Sequence, residues 1–308
     1  MRCLCCGREL GAVGLGGWHK GCVRRFFGTT VLPLIALDAA ALTALAAQTV
    51  EKGYTVTGVQ KKLSLHLSCA GTPRLTLVNY PAGYILKPQV KSYPHMPEAE
   101  HLVMSMAEAA GITTVPHALI NRGSEVAYIT KRVDRTAGME KLAMEDFCQL
   151  DLKLTEQKYM GSYERCAKLI GRYSDAPGLD AAELFMRLVF CFLTGNSDMH
   201  LKNFSLLQTN GAYRLSPAYD LLPVQLLTED AEDTALALNG KKQHLRRKDF
   251  IAFARTAGIP QKAASAMLER MLSRAPEWSA LCGESLLPEN MRTALTELIN
   301  ERVRRLTA

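Results

Sequence analysis

The run Asn196-Ser197-Asp198-Met199-His200-Leu201-Lys202-Asn203, followed by Asp220 in the apolar setting Ala218-Tyr219-Asp220-Leu221-Leu222, has the residue types and spacing of phosphoryl-transfer machinery. Asp198 is placed to accept the proton of an attacking hydroxyl. After four intervening residues Asn203 offers a neutral oxygen to a divalent cation, and Asp220 offers a charged one. Hard oxygen donors of this kind suit magnesium. His200 and Lys202 lie inside the loop, the histidine positioned to brace its backbone and the lysine to steady a transferring phosphate. A polar turn after the buried apolar helix expected at residues 184–193 would carry the same Asp-x4-Asn pattern, with Asp198 merely capping the turn. The elements around the loop must therefore decide.

Such chemistry needs a loop over the phosphates and a strand lysine held by a helix glutamate. Thr55-Val56-Thr57-Gly58 opens a turn that runs into alternating strand residues up to Leu65, and its amides and hydroxyls suit phosphate. Tyr84-Ile85-Leu86-Lys87-Pro88 reads as a short apolar strand ending in a lysine. Residues 97–111 start with Pro, repeat apolar residues at helical spacing and end on Gly111, which predicts a helix. Glu100 or Glu98 from its first turns is the candidate partner of Lys87. Two further strands, near 115–120 and 126–131, flank the turn Asn121-Arg122-Gly123-Ser124, and the second ends at Lys131.

Six blocks in order resemble the HipA family of serine/threonine kinase toxins. They are Thr57-Gly58-Val59-Gln60-Lys61-Lys62-Leu63, Tyr84-Ile85-Leu86-Lys87-Pro88, Lys131-Arg132-Val133-Asp134-Arg135, Glu145-Asp146-Phe147-Cys148-Gln149, Asp198-Met199-His200-Leu201-Lys202-Asn203-Phe204-Ser205-Leu206 and Leu215-Ser216-Pro217-Ala218-Tyr219-Asp220. The resemblance implies an α+β, bilobal protein-kinase-like fold with a mixed N-lobe and a mainly helical C-lobe. By it, Asp198 is the catalytic base, with His200 and Lys202 beside it, and Asn203 and Asp220 are magnesium ligands. Lys87 contacts the ATP phosphates, with Glu100 and Lys131 in the same ATP-binding set, and Thr55, Val56, Thr57 and Gly58 form the phosphate loop. It also implies an aminoacyl-tRNA synthetase as the phosphorylated protein, with arrest of translation and growth.

The chain has about fifty residues before the phosphate loop, which is similar to the short HipT form rather than the long one. That form implies two partners, a HipB-like helix-turn-helix antitoxin that brings the complex to DNA and a small HipS-like protein. Family members carry autophosphorylated serines in the loop, whereas this chain has Thr55 and Thr57. Threonine keeps the hydroxyl, and a phosphate on either would repel the ATP phosphates. Two readings from other classes remain open at this point: a small-molecule phosphotransferase, and a binding module built on an inactive kinase fold.

The amino terminus carries separate chemistry. Cys3-x2-Cys6, then His19-x2-Cys22, is a ligand count and spacing suited to a closed tetrahedral Zn2+ site, with Cys5 able to replace Cys3 or Cys6. Four protein ligands leave no open position for water, so this metal would be structural.

The 308 residues, 48% of them hydrophobic, are enough for two lobes. Boundaries are expected at 1–27 for a zinc knuckle, 28–130 for the N-lobe and 131–308 for the helical C-lobe. Nine cysteines, an odd number and scattered beyond the terminal cluster, exclude a secreted disulfide framework and point to the cytoplasm. The apolar stretch 31–47 holds Pro33 and Asp38 and reads as a helix capped near Asp38 rather than a signal peptide, and no run is long enough to span a membrane. A net charge of +7 is modest, and the basic clusters at 241–248 and 302–305 are expected to be solvated faces. Leu268, Met271 and Leu272, and Leu295, Leu298 and Ile299, fall at helical spacing and should be core.

Overall fold

The computed structural model describes residues 1–11, 14, 16–36, 62–78, 82–123, 125–136, 138–228 and 232–308. The expected phosphate loop, Thr55 to Gly58, and the helix expected from Asp38 lie outside these residues. The chain divides into two compact units, Met1–His101 with Val115–Glu140, and Leu102–Thr114 with Lys141–Ala308.

The first unit begins with the cysteine-rich segment and the short helix α1 (Lys20–Phe27), then builds one six-stranded sheet. Its strands are β1 (Leu34–Ala36), β2 (Leu63–Ser68), β3 (Arg74–Leu77), β4 (Tyr84–Lys87), β5 (His117–Arg122) and β6 (Glu125–Lys131). They lie in the order β1-β3-β2-β4-β6-β5, antiparallel except for the β1–β3 pair. Leu63, Leu65, Leu75, Leu86, Ala127 and Ile129 bury the apolar face. The strands at β4, β5 and β6 fall where alternation and turn residues place them. So does helix α2 (Met96–Ala109), which ends on Gly111 at φ 83°, a left-handed conformation that glycine adopts without strain.

The cysteine-rich segment is docked on the outer edge of β5. Leu119 N donates to Leu4 O at 2.7 Å, Leu119 O accepts the Trp18 indole N–H at 3.1 Å, and the Asn121 amide donates to Gly16 O at 3.0 Å. Edge groups that would otherwise pair with another chain are thereby occupied. Trp18, fully buried, packs edge-on to Phe26 at 5.4 Å, and Phe27 lies 5.5 Å from the Tyr84 ring.

The second unit is mainly helical around a small antiparallel sheet, β7 (Met144–Asp146), β8 (Ser205–Thr209) and β9 (Ala212–Leu215). Helix α3 (Phe147–Leu150) starts at Asp146, whose carboxylate accepts from Gln149 N while the Gln149 side chain returns to Asp146 N. Helix α4 (Tyr163–Tyr173) is capped by Ser162, and α5 (Pro177–Leu193) has proline in its first turn. Helix α5 is apolar almost all round, and Leu184, Phe185, Leu188, Val189, Phe190, Phe192 and Leu193 are buried. Helices α6 (Val224–Leu227), α7 (Arg247–Thr256), α8 (Gln261–Leu272), α9 (Ala275–Glu284) and α10 (Glu289–Thr307) complete the unit. Trp278 is fully buried, its indole N–H donating to Met106 O at 3.0 Å. Leu268, Met271, Leu272, Leu295 and Ile299 are core, and Leu298 is half-buried.

One expectation is corrected here. In the 302–305 cluster Arg304 is exposed, but Arg302 and Arg305 do not form a solvated face. Arg302 is buried and ion-paired with Asp233, which also accepts from Arg305 at 2.6 Å and from Leu245 N at 2.9 Å, and both guanidinium groups lie over the Phe192 ring. Periodicity could not show this, because the acidic partner lies some seventy residues away in sequence. Lys241 likewise binds Asp249, at 2.9 Å.

Candidate functional site

In the first unit, Lys87 closes β4 with Tyr128 of β6 as its cross-strand partner. Its side chain is almost fully buried, and the ammonium meets Glu100 Oε1 of α2 at 2.5 Å and lies 5.1 Å from the Tyr128 ring centroid. Glu98, the other candidate, is taken by Gln89 Nε2 at 2.8 Å and His95 Nδ1 at 3.3 Å. Lys131 is exposed at the end of β6, opposite Tyr84 in the ladder.

In the second unit, α5 ends at Thr194 and the chain turns through Gly195 at φ 70°. A Cβ there would lie 2.5 Å from Leu298 of α10 and 3.3 Å from the Gln225 amide oxygen, so the turn needs a glycine. Gly195 O accepts from Gln225 N at 3.0 Å, and the Gln225 side chain is held by Arg302 at 2.8 Å. The loop that follows is buried at Asn196, Ser197, Asp198, His200 and Asn203. Asn196 Oδ1 accepts from Asp198 N at 3.2 Å, and the carbonyl of Asp198 accepts from His200 N and Asn203 Nδ2, both at 2.9 Å. Because its Nδ2 is the donor, the Asn203 amide presents its oxygen as the remaining ligand atom.

The Asp198 carboxylate accepts the Tyr159 hydroxyl hydrogen bond. Burial pushes the His200 imidazole down to about 4, against the opposing pull of Asp198 and Asp220, so the two carboxylates act on one ring. That ring stands edge-on to Tyr159 at 5.1 Å. Lys202 is tied to Asp146, the α3 cap, at 2.8 Å. Asp220 has φ 55°, a conformation a non-glycine residue adopts at a cost of about 1–2 kcal/mol and one that recurs at functional sites. The approach to it is fixed on both sides: Ala218 N donates to Thr113 O at 2.7 Å, and the Tyr219 hydroxyl pairs with Ser205 at 2.6 Å and donates to Lys202 O at 3.1 Å. Arg187, buried in α5, holds Ser216 O at 2.7 Å.

Each unit thus gathers its own set, Lys87 with Glu100 in one and Asp198, His200, Lys202, Asn203 and Asp220 in the other. Tyr159, Arg187 and Gln225 were not found in the sequence. Each acts through contacts with residues far along the chain, and no spacing marks such contacts.

The amino-terminal cluster also closes. The ligand atoms of Cys3, Cys6, His19 and Cys22 lie within 4.8 Å of one another. A zinc tetrahedron with bonds of about 2.3 Å has edges near 3.8 Å, so the four need only a small inward shift. His19 points Nδ1 at Cys6, 3.4 Å away, and its Nε2 pairs with Glu9 O at 2.9 Å, an outer hydrogen bond that fixes the ring as metal-bound histidines require. Burial opposes ionisation of Cys3, but the backbone N–H groups of Cys6, Cys5 and His19 outweigh it and bring the thiol to about 7. Burial and the neighbouring thiols Cys5, Cys6 and Cys3 push Cys22 up. A dication would relieve that crowding, so the donor set fits zinc. Cys5 lies outside the four.

Residues 54–279 match the model of the HipA-like C-terminal domain family. A putative kinase of Haemophilus influenzae is 24% identical over 294 residues, covering 82% of this chain and 84% of its own. The serine/threonine-protein kinase toxin HipA of Shewanella oneidensis is 24% identical over 251 residues, and the match covers 72% of this chain but only 56% of the toxin. Among solved structures, Shewanella oneidensis HipA in a complex with HipB and operator DNA superposes with a TM-score of 0.72 at 20% identity, covering 88% of this chain and 71% of that one. This last likeness bears on the fold alone, and agrees with the expected α+β kinase-like architecture.

Proposed function

We propose that this chain, which belongs to the HipA-like C-terminal domain family, is a toxin-type protein kinase that transfers the γ-phosphate of ATP to a serine or threonine hydroxyl. The observation that carries the reading is the ion pair between Lys87 and Glu100, whose side chains are only 4% and 1% exposed. Taking two charges out of water costs several kcal/mol each, and their attraction offsets this only in part, so such a pair is a poor way to stabilise a fold. A strand lysine fixed by a helix glutamate is a good way to present a cation to ATP phosphates.

Asp198 accepts the proton of the acceptor hydroxyl as its oxygen bonds to the γ-phosphorus. The bond from that phosphorus to the bridging oxygen breaks, and its electron pair leaves with ADP. Asn203 and Asp220 would hold magnesium, which when bound would supply charge neutralisation at the phosphates. Lys202 and His200 brace the loop, Lys202 through Asp146. Lys131 and the Thr55–Gly58 loop belong to the nucleotide side, and phosphate on Thr55 or Thr57 would silence the enzyme by repulsion.

The acceptor protein is an aminoacyl-tRNA synthetase, and the outcome is arrested translation in the cytoplasm; no helix among the described residues is long and apolar enough to cross a membrane. The solved HipA relative, seen with HipB on operator DNA, supports a HipB-like antitoxin as partner, with DNA reached through it, and a small HipS-like protein would complete the set. Zinc on Cys3, Cys6, His19 and Cys22 is structural.

The test separates function from structure at the carrying pair. Replacing both partners, Lys87→Met with Glu100→Met, removes the buried charges together and should leave thermal stability equal or higher. Incorporation of labelled phosphate from ATP, into itself at Thr55 or Thr57 and into a synthetase, should fall to background in the same variant. Wild-type transfer by the double variant would sink the reading.

A further inference from the structure

The loop that carries Asp198 is gripped by a segment outside the phosphoryl-transfer motif. Along residues 158–163, Lys158 O accepts from Leu201 N at 3.1 Å, the Tyr163 hydroxyl donates to Met199 O at 3.0 Å, and the Tyr159 hydroxyl donates to Asp198 Oδ1. Two of these contacts hold backbone and the third holds the carboxylate itself. The backbone of Asp198 is already fixed by Asn196, His200 and Asn203. Its carboxylate still has two side-chain torsions, and a backbone hydrogen bond sets neither. The Tyr159 ring is itself oriented, edge-on to His200 on one side and 5.0 Å from the Lys158 ammonium.

We propose that Tyr159 is a positioning residue for phosphoryl transfer: its phenol anchors one carboxylate oxygen of Asp198 and so sets the angle at which the base meets the acceptor hydroxyl. The inference rests on the reading of Asp198 as that base. Orientation matters at this step because misplacing a reacting group by about 1 Å can slow an enzyme roughly 10²-fold. A carboxylate accepts several hydrogen bonds, so an anchoring donor and a substrate hydroxyl can share it. The three grips on residues 198–201 come from a stretch of six residues, which makes a clamp of them rather than a chance contact.

Tyr159→Phe keeps the ring and its packing on His200 and removes only the hydroxyl. It should lower kcat for transfer about ten- to a hundred-fold with KM for ATP unchanged and little change in melting temperature. A residue that merely stabilised the fold would move the melting temperature instead. In protein labelled with 3-fluorotyrosine, the fluorine resonance lost in Tyr159→Phe should shift in Asp198→Asn and stay in place in Lys131→Ala. Equal kcat in wild type and Tyr159→Phe would overturn the inference, as would a higher kcat, which would make the phenol an obstruction. Absence of transfer by the wild type would overturn the kinase reading first and this inference with it.

Discussion

The amino-terminal cysteine-rich segment and the loop that carries Asp198 are both short and tightly held, but by opposite means. The segment draws its four candidate ligands from the first twenty-two residues, and its order comes from local spacing, a metal-ready donor set and docking on β5. The loop at 196–203 has local bonds among Asn196, Asp198, His200 and Asn203, but they do not place it in the unit. Its position comes from Gln225 and Arg302 at one end, Lys158, Tyr159 and Tyr163 alongside, and Asp146 on Lys202. A metal site can be written in twenty consecutive residues because a structural ion supplies folding free energy, whereas the Asp198 loop takes its rigidity from distant packing.

This contrast can be broken at either end. The largest effect is expected from Asp198→Asn, which should cut phosphate transfer about 10²- to 10⁴-fold while leaving the melting temperature nearly unchanged, since the loop is held by its neighbours. Parallel assays of transfer and thermal melting check this, and a large fall in melting temperature would show the loop to be self-supporting. Next, Cys22→Ser or chelation should remove zinc and destabilise the first unit by several kcal/mol without altering the second. Metal analysis with hydrogen exchange resolves the two, and absence of zinc from the purified wild type would remove the metal from the account.

Gly195→Ala should cost about 1–3 kcal/mol by denaturant unfolding, because the turn requires positive φ and Leu298 must give way. A neutral result would mean that α10 does not set the loop. The smallest effect is expected from acid. Burial works against ionisation of Asp233, but Arg305, the Leu245 N–H and Arg302 outweigh it and hold the carboxyl below its ordinary value of 3.8. A carboxyl so lowered contributes stability above its ordinary value and loses it as pH falls through the folded one. Melting temperature should therefore drop from about pH 5 to about pH 3 more steeply in the wild type than in Asp233→Asn.

Much of this arrangement was legible in the sequence where local rules govern. The β4 strand with Lys87, the α2 helix with its glycine end, the β5–β6 pair and the 3–22 metal spacing each express chemistry within a few residues. The choice between Glu98 and Glu100 was open in sequence, because both lie in the opening turns of α2 and only packing against β4 selects one. The docking of the knuckle on β5, the burial of Arg302 and the hydroxyl of Tyr159 were not legible. Each joins residues roughly forty to one hundred apart, and a periodic pattern carries no information about such pairs.

The two tryptophans of the chain, Trp18 and Trp278, fall one in each unit, both fully buried with the indole N–H bonded to a backbone carbonyl. The molecule therefore carries two independent optical probes. With either replaced by phenylalanine, the fluorescence of the other follows a single unit, so unfolding around the cysteine-rich segment and unfolding around the Asp198 loop can be watched separately in one unlabelled protein.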